Sequence, residues 1–180
     1  MVASDTPPLY LLGYEEARDI FAQLQQHSAG NPWVSVFDLS FPVGPTSRVE
    51  VRMVRPEPSS RTLPVIVYLH GGGWVMGSKH THDRLIRELA IGSDAAVFFV
   101  DYSPAPDEQY PQQNEEAYAA LTYIATHAAQ LNIDASRIAG GGRRCGRQYG
   151  RRAHADGEGS PRPLHRPSGA VLSGDRRYFG

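Results

Sequence analysis

The sequence has one cysteine, Cys145, among 180 residues. A single cysteine cannot close an internal disulfide, and it excludes a metal site of the Cys-x-x-Cys kind. No stretch reaches the roughly 18–20 consecutive apolar residues that a membrane-spanning helix needs. The first residues, MVASDTPPLYLLGYEEARD, hold neither a basic leader region nor a long apolar run, so no export signal is expected. Strong charge of one sign is missing as well. The formal net charge is −1, which gives no global attraction to nucleic acid or to an anionic membrane. The length suffices for one domain with a sizeable core. These absences predict a soluble, cytoplasmic protein without integral membrane contact.

The near-neutral total hides a step. Residues 1–142 carry 9 Lys plus Arg against 16 Asp plus Glu, a net of −7, whereas residues 143–180 carry 9 Arg against 3 acids, a net of +6. Half of the basic residues thus lie in the last fifth of the chain, and the two parts must be read separately.

The first part has regular periodicity. Tyr14, Ala17, Ile20, Phe21 and Leu24 recur at three- and four-residue spacing behind Glu15 and Glu16, predicting an amphipathic helix that ends near Gly30. Val49, Val51 and Met53 alternate with Glu50 and Arg52 up to Pro56, the pattern of a half-buried edge strand, with Phe37, Leu39 and Phe41 as a hairpin partner. The runs VIVYL (65–69) and AVFFV (96–100) predict strands buried on both faces. Helices are predicted over 81–89, through Leu85, Ile86 and Leu89, and over 114–129, through Tyr118, Leu121, Ile124 and Ala125. A third buried strand is expected to start at Arg137-Ile138-Ala139, after a turn at Asn132-Ile133-Asp134. Strands alternating with helices at about 30-residue spacing predict right-handed crossovers. They give an α/β fold, a mostly parallel sheet with helices on both faces.

Chemistry concentrates where the first buried strand ends. His70-Gly71-Gly72-Gly73-Trp74 places three glycines in a row, a costly arrangement for an ordinary loop. Its physical use is to turn amide N–H groups inward onto developing negative charge, as an oxyanion hole requires. After the second buried strand comes Asp101-Tyr102-Ser103-Pro104-Ala105-Pro106, then Tyr110-Pro111 and Glu115-Glu116. The prolines stiffen a connection that returns beneath the glycine loop, and Asp101 is placed to anchor that loop by hydrogen bonds.

Together, PVIVYLHGGGWVMG, HDRLIRELA, VDYSPAPDEQYP, EEAY and DASRIAGGG resemble the hormone-sensitive-lipase-like branch of the α/β-hydrolase family of carboxylesterases and lipases, over roughly residues 10–142. The resemblance implies a partial α/β-hydrolase fold. Its function would be carboxylic ester hydrolysis on a small-molecule ester, with no cofactor, no metal and no specific nucleic-acid partner. It implies that Gly72 and Gly73 supply oxyanion N–H groups, that His70 orders their loop, and that Trp74 lines the substrate pocket. Residues 1–30 would be a cap-type helical segment, 31–142 the amino-terminal half of the hydrolase domain, and 143–180 an irregular tail rich in Arg, Gly and Pro.

The family pattern next requires a nucleophile elbow, Gly-Asp-Ser-Ala-Gly-Gly. In register, Gly142 takes the first glycine and Gly146 the next, but Arg144 takes the serine position. A guanidinium has no lone pair with which to attack a carbonyl. His154 and His165 lie in the tail with no elbow to serve. As written, the chain is therefore expected to be inactive.

The tail has a second reading through the genetic code. Taken from the second base of each codon, permitted codons for 143–157 yield Asp-Ala-Val-Gly-Gly-Asn-Met-Ala-Ala-Ala-Leu-Thr-Leu-Met, an elbow-like phrase running into a helix. The same offset turns Ser173-Gly174-Asp175-Arg176-Arg177 into Pro-Val-Thr-Asp, a strand-end phrase. A reading-frame change near codons 140–143 explains both phrases and the charge step. It does not restore serine, because the displaced codon at 144 is G-N-T. Two alternatives remain: a non-catalytic ligand-binding protein on a hydrolase scaffold, and a nucleic-acid binder acting through the basic RRCGRQYGRR segment. Determining the coding DNA from codon 135 onward separates them from the frame change. A one-base insertion or deletion is expected to open a frame carrying hydrolase motifs; no such frame would sink the idea.

Overall fold

The computed structural model describes residues 7–25 and 33–142. A short 3-10 turn, Leu9–Leu11, leads into helix α1, Tyr14–Gln25. Then follow strands β1 (Val34–Phe41), β2 (Val49–Pro56) and β3 (Leu63–Leu69), helix α2 (Asp83–Ser93), strand β4 (Ala96–Val100), helix α3 (Gln112–Thr126) and strand β5 (Ile133–Gly142). The predicted end of the first helix, near Gly30, lies outside the described residues.

One five-stranded sheet has the order β1-β2-β4-β3-β5. The β1–β2 and β2–β4 pairs are antiparallel, while β4–β3 and β3–β5 are parallel. Four of the five strands therefore point the same way, as the α/β fold class predicts. The pleat explains why β3 and β4 read as unbroken apolar runs. Val65, Val67 and Phe98 face α3 and meet Ala120 and Ile124, while Ile66, Tyr68, Val97 and Phe99 face α2 and meet Ile86 and Ala90. A strand covered on both faces has no solvent side to mark with polar residues.

Two expectations need correction. The Val49–Met53 strand is not an edge: β2 lies between β1 and β4, and β1 is the edge. The alternation was misleading because Arg52 is only 8% exposed. Its guanidinium is taken up by Asp38 of β1 at 2.8 Å and Asp83 of α2 at 3.1 Å, so a charged residue sits on a covered face. The third buried strand also differs. It begins at Ile133, opposite Leu63, then makes an excursion before pairing resumes with Ile138 opposite Val65. Asp134 closes the excursion by accepting from Ser136 N–H and Arg137 Nε. Most of β5 is partly exposed, because among the described residues it pairs with β3 alone.

No helix among the described residues is long and apolar enough to cross a membrane. Phe98 and Phe99 are fully buried on opposite faces, so replacing either by alanine should cost about 3–5 kcal/mol. Phe37→Ser, on the edge strand at a residue 45% exposed, should change stability by only about 0.5 kcal/mol. Urea unfolding of the three variants checks the contrast.

Candidate active-site loop

The parallel register delivers three chain segments to one place. Leu69, the last residue of β3, lies level with Val100 of β4 and with Gly142 of β5. Adjacent strands are about 4.8 Å apart. His70 and Asp101 therefore leave the sheet side by side at its carboxyl edge, level with Gly142, where open α/β sheets form their sites.

The loop after Leu69 is a tight turn. Gly72 carbonyl accepts the N–H groups of Val75 and Met76, at 3.3 and 3.0 Å. Gly72 has φ 134°, and a Cβ there would stand 1.8 Å from Met76 O, so only glycine fits. Gly73 and Trp74 follow at φ 67° and 71°. Among the described residues, neither Gly72 N–H nor Gly73 N–H is claimed by a protein acceptor. Two adjacent unclaimed amides in a left-handed turn form a concavity suited to an anion.

His70 holds the first of these amides in place. Its ring is 1% exposed and lies parallel to Tyr102, with centroids 4.1 Å apart, and to Phe99 at 5.1 Å. Gly71 carbonyl can only accept, so His70 Nδ1 donates to it, at 2.9 Å. Gly71 C=O and Gly72 N–H belong to one rigid peptide plane, and fixing the carbonyl aims the amide. Burial pushes the imidazole down to about 4, so His70 is neutral near pH 7. Gly77 provides the space for the ring, since a Cβ there would lie 2.5 Å from Nδ1.

Asp101 and Tyr102 brace the loop from β4. Asp101 Oδ1 accepts Lys79 N–H at 3.2 Å, and Tyr102 hydroxyl donates to His70 carbonyl at 2.9 Å. Burial raises the Asp101 carboxyl above the ordinary aspartate range, opposed by the bond from Lys79 N–H. Trp74 is partly buried against Leu69, Ala117 and Tyr102, and its carbonyl accepts Ala105 N–H at 2.8 Å.

Two residues with a part in this arrangement have no sequence signature. Glu116, 2% exposed, accepts Ser103 N–H and Oγ–H at 2.7 and 2.9 Å, fixing the proline-rich segment onto α3. Its only signal was an acid pair near a helix start, which also suits a solvated first turn. Arg18 of α1 donates to Val75 O, Ala105 O and Asp107 Oδ2, each at 2.8 Å, and ties the first helix to both loops. Arg144, Gly146, His154 and His165 lie outside the described residues. Among the described residues, no group of three or more His, Cys, Asp or Glu could hold a metal ion.

Comparison with known proteins agrees with this geometry. The sequence model of a family described as alpha/beta hydrolase fold matches residues 66–148. The chain is 39% identical over 129 residues to the esterase LipI of Mycobacterium tuberculosis, covering 71% of this chain and 40% of that protein. It is 37% identical over 127 residues to the carboxylesterase NlhH of the same species, again over 71% and 40%. A thermostable esterase from Pseudomonas putida superposes with a TM-score of 0.78 at 32% identity, over 87% of this chain and 50% of that one. The chain thus spans about 40% of the length of these curated relatives.

The buried imidazole makes stability depend on pH. Its value is near 4 when folded and 6.5 when free, so between those limits the unfolded chain binds more protons. The His70 contribution is complete above pH 6.5 and is lost as pH falls toward 4, by on the order of 3 kcal/mol. Asp101, raised by burial, acts with the opposite sign. Urea unfolding at pH 7 and pH 4.5 should therefore show a smaller decline for His70→Phe than for the unaltered chain. Equal declines would refute the assignment.

Proposed function

Since the chain belongs to the hormone-sensitive-lipase-like branch of the α/β-hydrolase family, we propose that its glycine loop is the oxyanion-binding part of a carboxylic ester hydrolase. The observation that carries this reading is the pair of adjacent amides, Gly72 and Gly73, that no acceptor among the described residues claims. In acyl transfer the ester carbonyl oxygen becomes negative as a nucleophile adds. Preorganised N–H donors stabilise that charge more than they stabilise the neutral ester. The donors here are backbone amides set by φ, so they need no reorganisation when charge develops. His70 is buried and spends its Nδ1–H on Gly71 carbonyl, which supports a loop-ordering role over that of the catalytic base. Trp74, partly buried at the loop, gives it an aromatic, uncharged side chain, which supports short-chain or aryl esters over charged ones.

Nucleophilic attack in this fold comes from a serine on the elbow after the fifth strand, served by a histidine base and an acid. Arg144 occupies the serine position here. The chain as written therefore holds the charge-stabilising part of the reaction without its nucleophile, and it should not turn over esters. Loss of the nucleophile removes about six orders of magnitude of rate in a serine hydrolase.

The same pairing of an intact loop with Arg144 favours a second reading, a protein that binds small ligands at the loop without reacting. Purified protein of verified mass, incubated with p-nitrophenyl acetate, is expected to release nitrophenol no faster than buffer. Protein-dependent turnover would overturn the assignment of Arg144. Saturable quenching of tryptophan fluorescence by a non-hydrolysed aryl ester, without turnover, would favour the ligand-binding reading.

A further inference from the structure

Each unclaimed amide of the loop shares a peptide plane with the carbonyl that precedes it, so whatever holds the carbonyl aims the amide. For Gly72 N–H that carbonyl is Gly71 O, held by His70. For Gly73 N–H it is Gly72 O, which accepts from Met76 N–H at 3.0 Å. Met76 N–H in turn shares its plane with Val75 O, and Val75 O accepts Arg18 Nε at 2.8 Å. Two rigid planes and two hydrogen bonds therefore connect the Arg18 guanidinium to Gly73 N–H. Arg18 Nη2 also donates to Ala105 O, and Ala105 N–H donates to Trp74 O, so the same guanidinium touches the segment that holds the Trp74 carbonyl. We propose that Arg18 is the positioning residue for the oxyanion-binding amide of Gly73, and that α1 thereby completes the oxyanion hole.

The geometry requires arginine in particular. One planar group gives three separate 2.8 Å bonds, to two carbonyls and to Asp107, while the Tyr14 ring lies 5.1 Å from its carbon centre. A lysine ammonium could keep the ion pair but could not span both carbonyls in one fixed plane. Trp74, a non-glycine residue at φ 71°, lies between the tied carbonyls and is held in a conformation that would relax if they were released. Charge on Arg18 is not what the amide senses. Arg18 acts through backbone direction.

This inference rests on reading the loop as an oxyanion hole, and the test keeps the two apart. The full chain, labelled uniformly with 15N, is compared with Arg18→Met and Arg18→Lys by N–H residual dipolar couplings and amide exchange, then titrated with methylphosphonate as a tetrahedral anion. Both variants should rotate the Gly73 N–H vector and speed its exchange by about tenfold, the effect of losing one charge-assisted bond. Gly72 N–H, aimed by His70, should keep its direction, and β4 amide exchange should report an unchanged sheet. Methylphosphonate should shift both glycines in the unaltered chain and bind about fivefold more weakly to the variants. An unmoved Gly73 vector with unchanged exchange in folded Arg18→Lys would overturn the role of Arg18. No methylphosphonate shift in the unaltered chain would instead sink the oxyanion reading and leave the dipolar couplings to judge Arg18.

Discussion

Strand β3 runs parallel to a neighbour on each side, and its last residue is in register with Val100 and Gly142. That alignment is a packing result before it is a functional one. β3 and β4 are apolar on both faces, so sliding either by one residue would turn Val67 and Phe98 toward α2 and Tyr68 and Phe99 toward α3. The helices would meet side chains of the wrong size. Because the register is fixed by burial, the chain leaves β3, β4 and β5 at one level. The glycine loop and the Asp101–Tyr102 brace are then neighbours, level with Gly142, without further adjustment.

Above that level the loop is held mostly by polar side chains bonded to main-chain groups. His70, Tyr102, Glu116 and Arg18 each donate to or accept from a backbone group within the 70–77 or 101–107 segments. The turn at Gly72 and the left-handed residues after it would be poorly populated in isolation, and these ties stabilise them. Polar side chains are thus used as scaffold, and the reactive surface is left to main-chain amides.

How much of this could be read beforehand depended on whether the determinant was local. Helices α1, α2 and α3 and strands β3 and β4 followed from spacing and from unbroken apolar runs, and the glycine triplet after β3 identified the loop. Asp101 was expected to anchor that loop, and it does so through Lys79 N–H. The misplacement of β2 came from Arg52, which reads as a solvent-facing residue until Asp38 and Asp83 are seen around it. Those partners lie on other elements and leave no mark near position 52. Arg18 was illegible for the same reason in a stronger form. Its carbonyl partners lie 57 and 87 residues away and carry no side-chain identity, so a lone arginine on a helix could only be read as solvated. The contact of the first helix with the two loops is therefore one that no spacing rule reveals.

The space that Gly77 leaves for the His70 ring also changes how the motif should be read. The first and last residues of HGGGWVMG are two halves of one volume. A side chain added at 77 must be matched by a smaller ring or none at 70, and with the ring goes the donor that orients Gly71 carbonyl. Positions 70 and 77 should therefore vary together in any pool of folded sequences, a covariation imposed by shape alone.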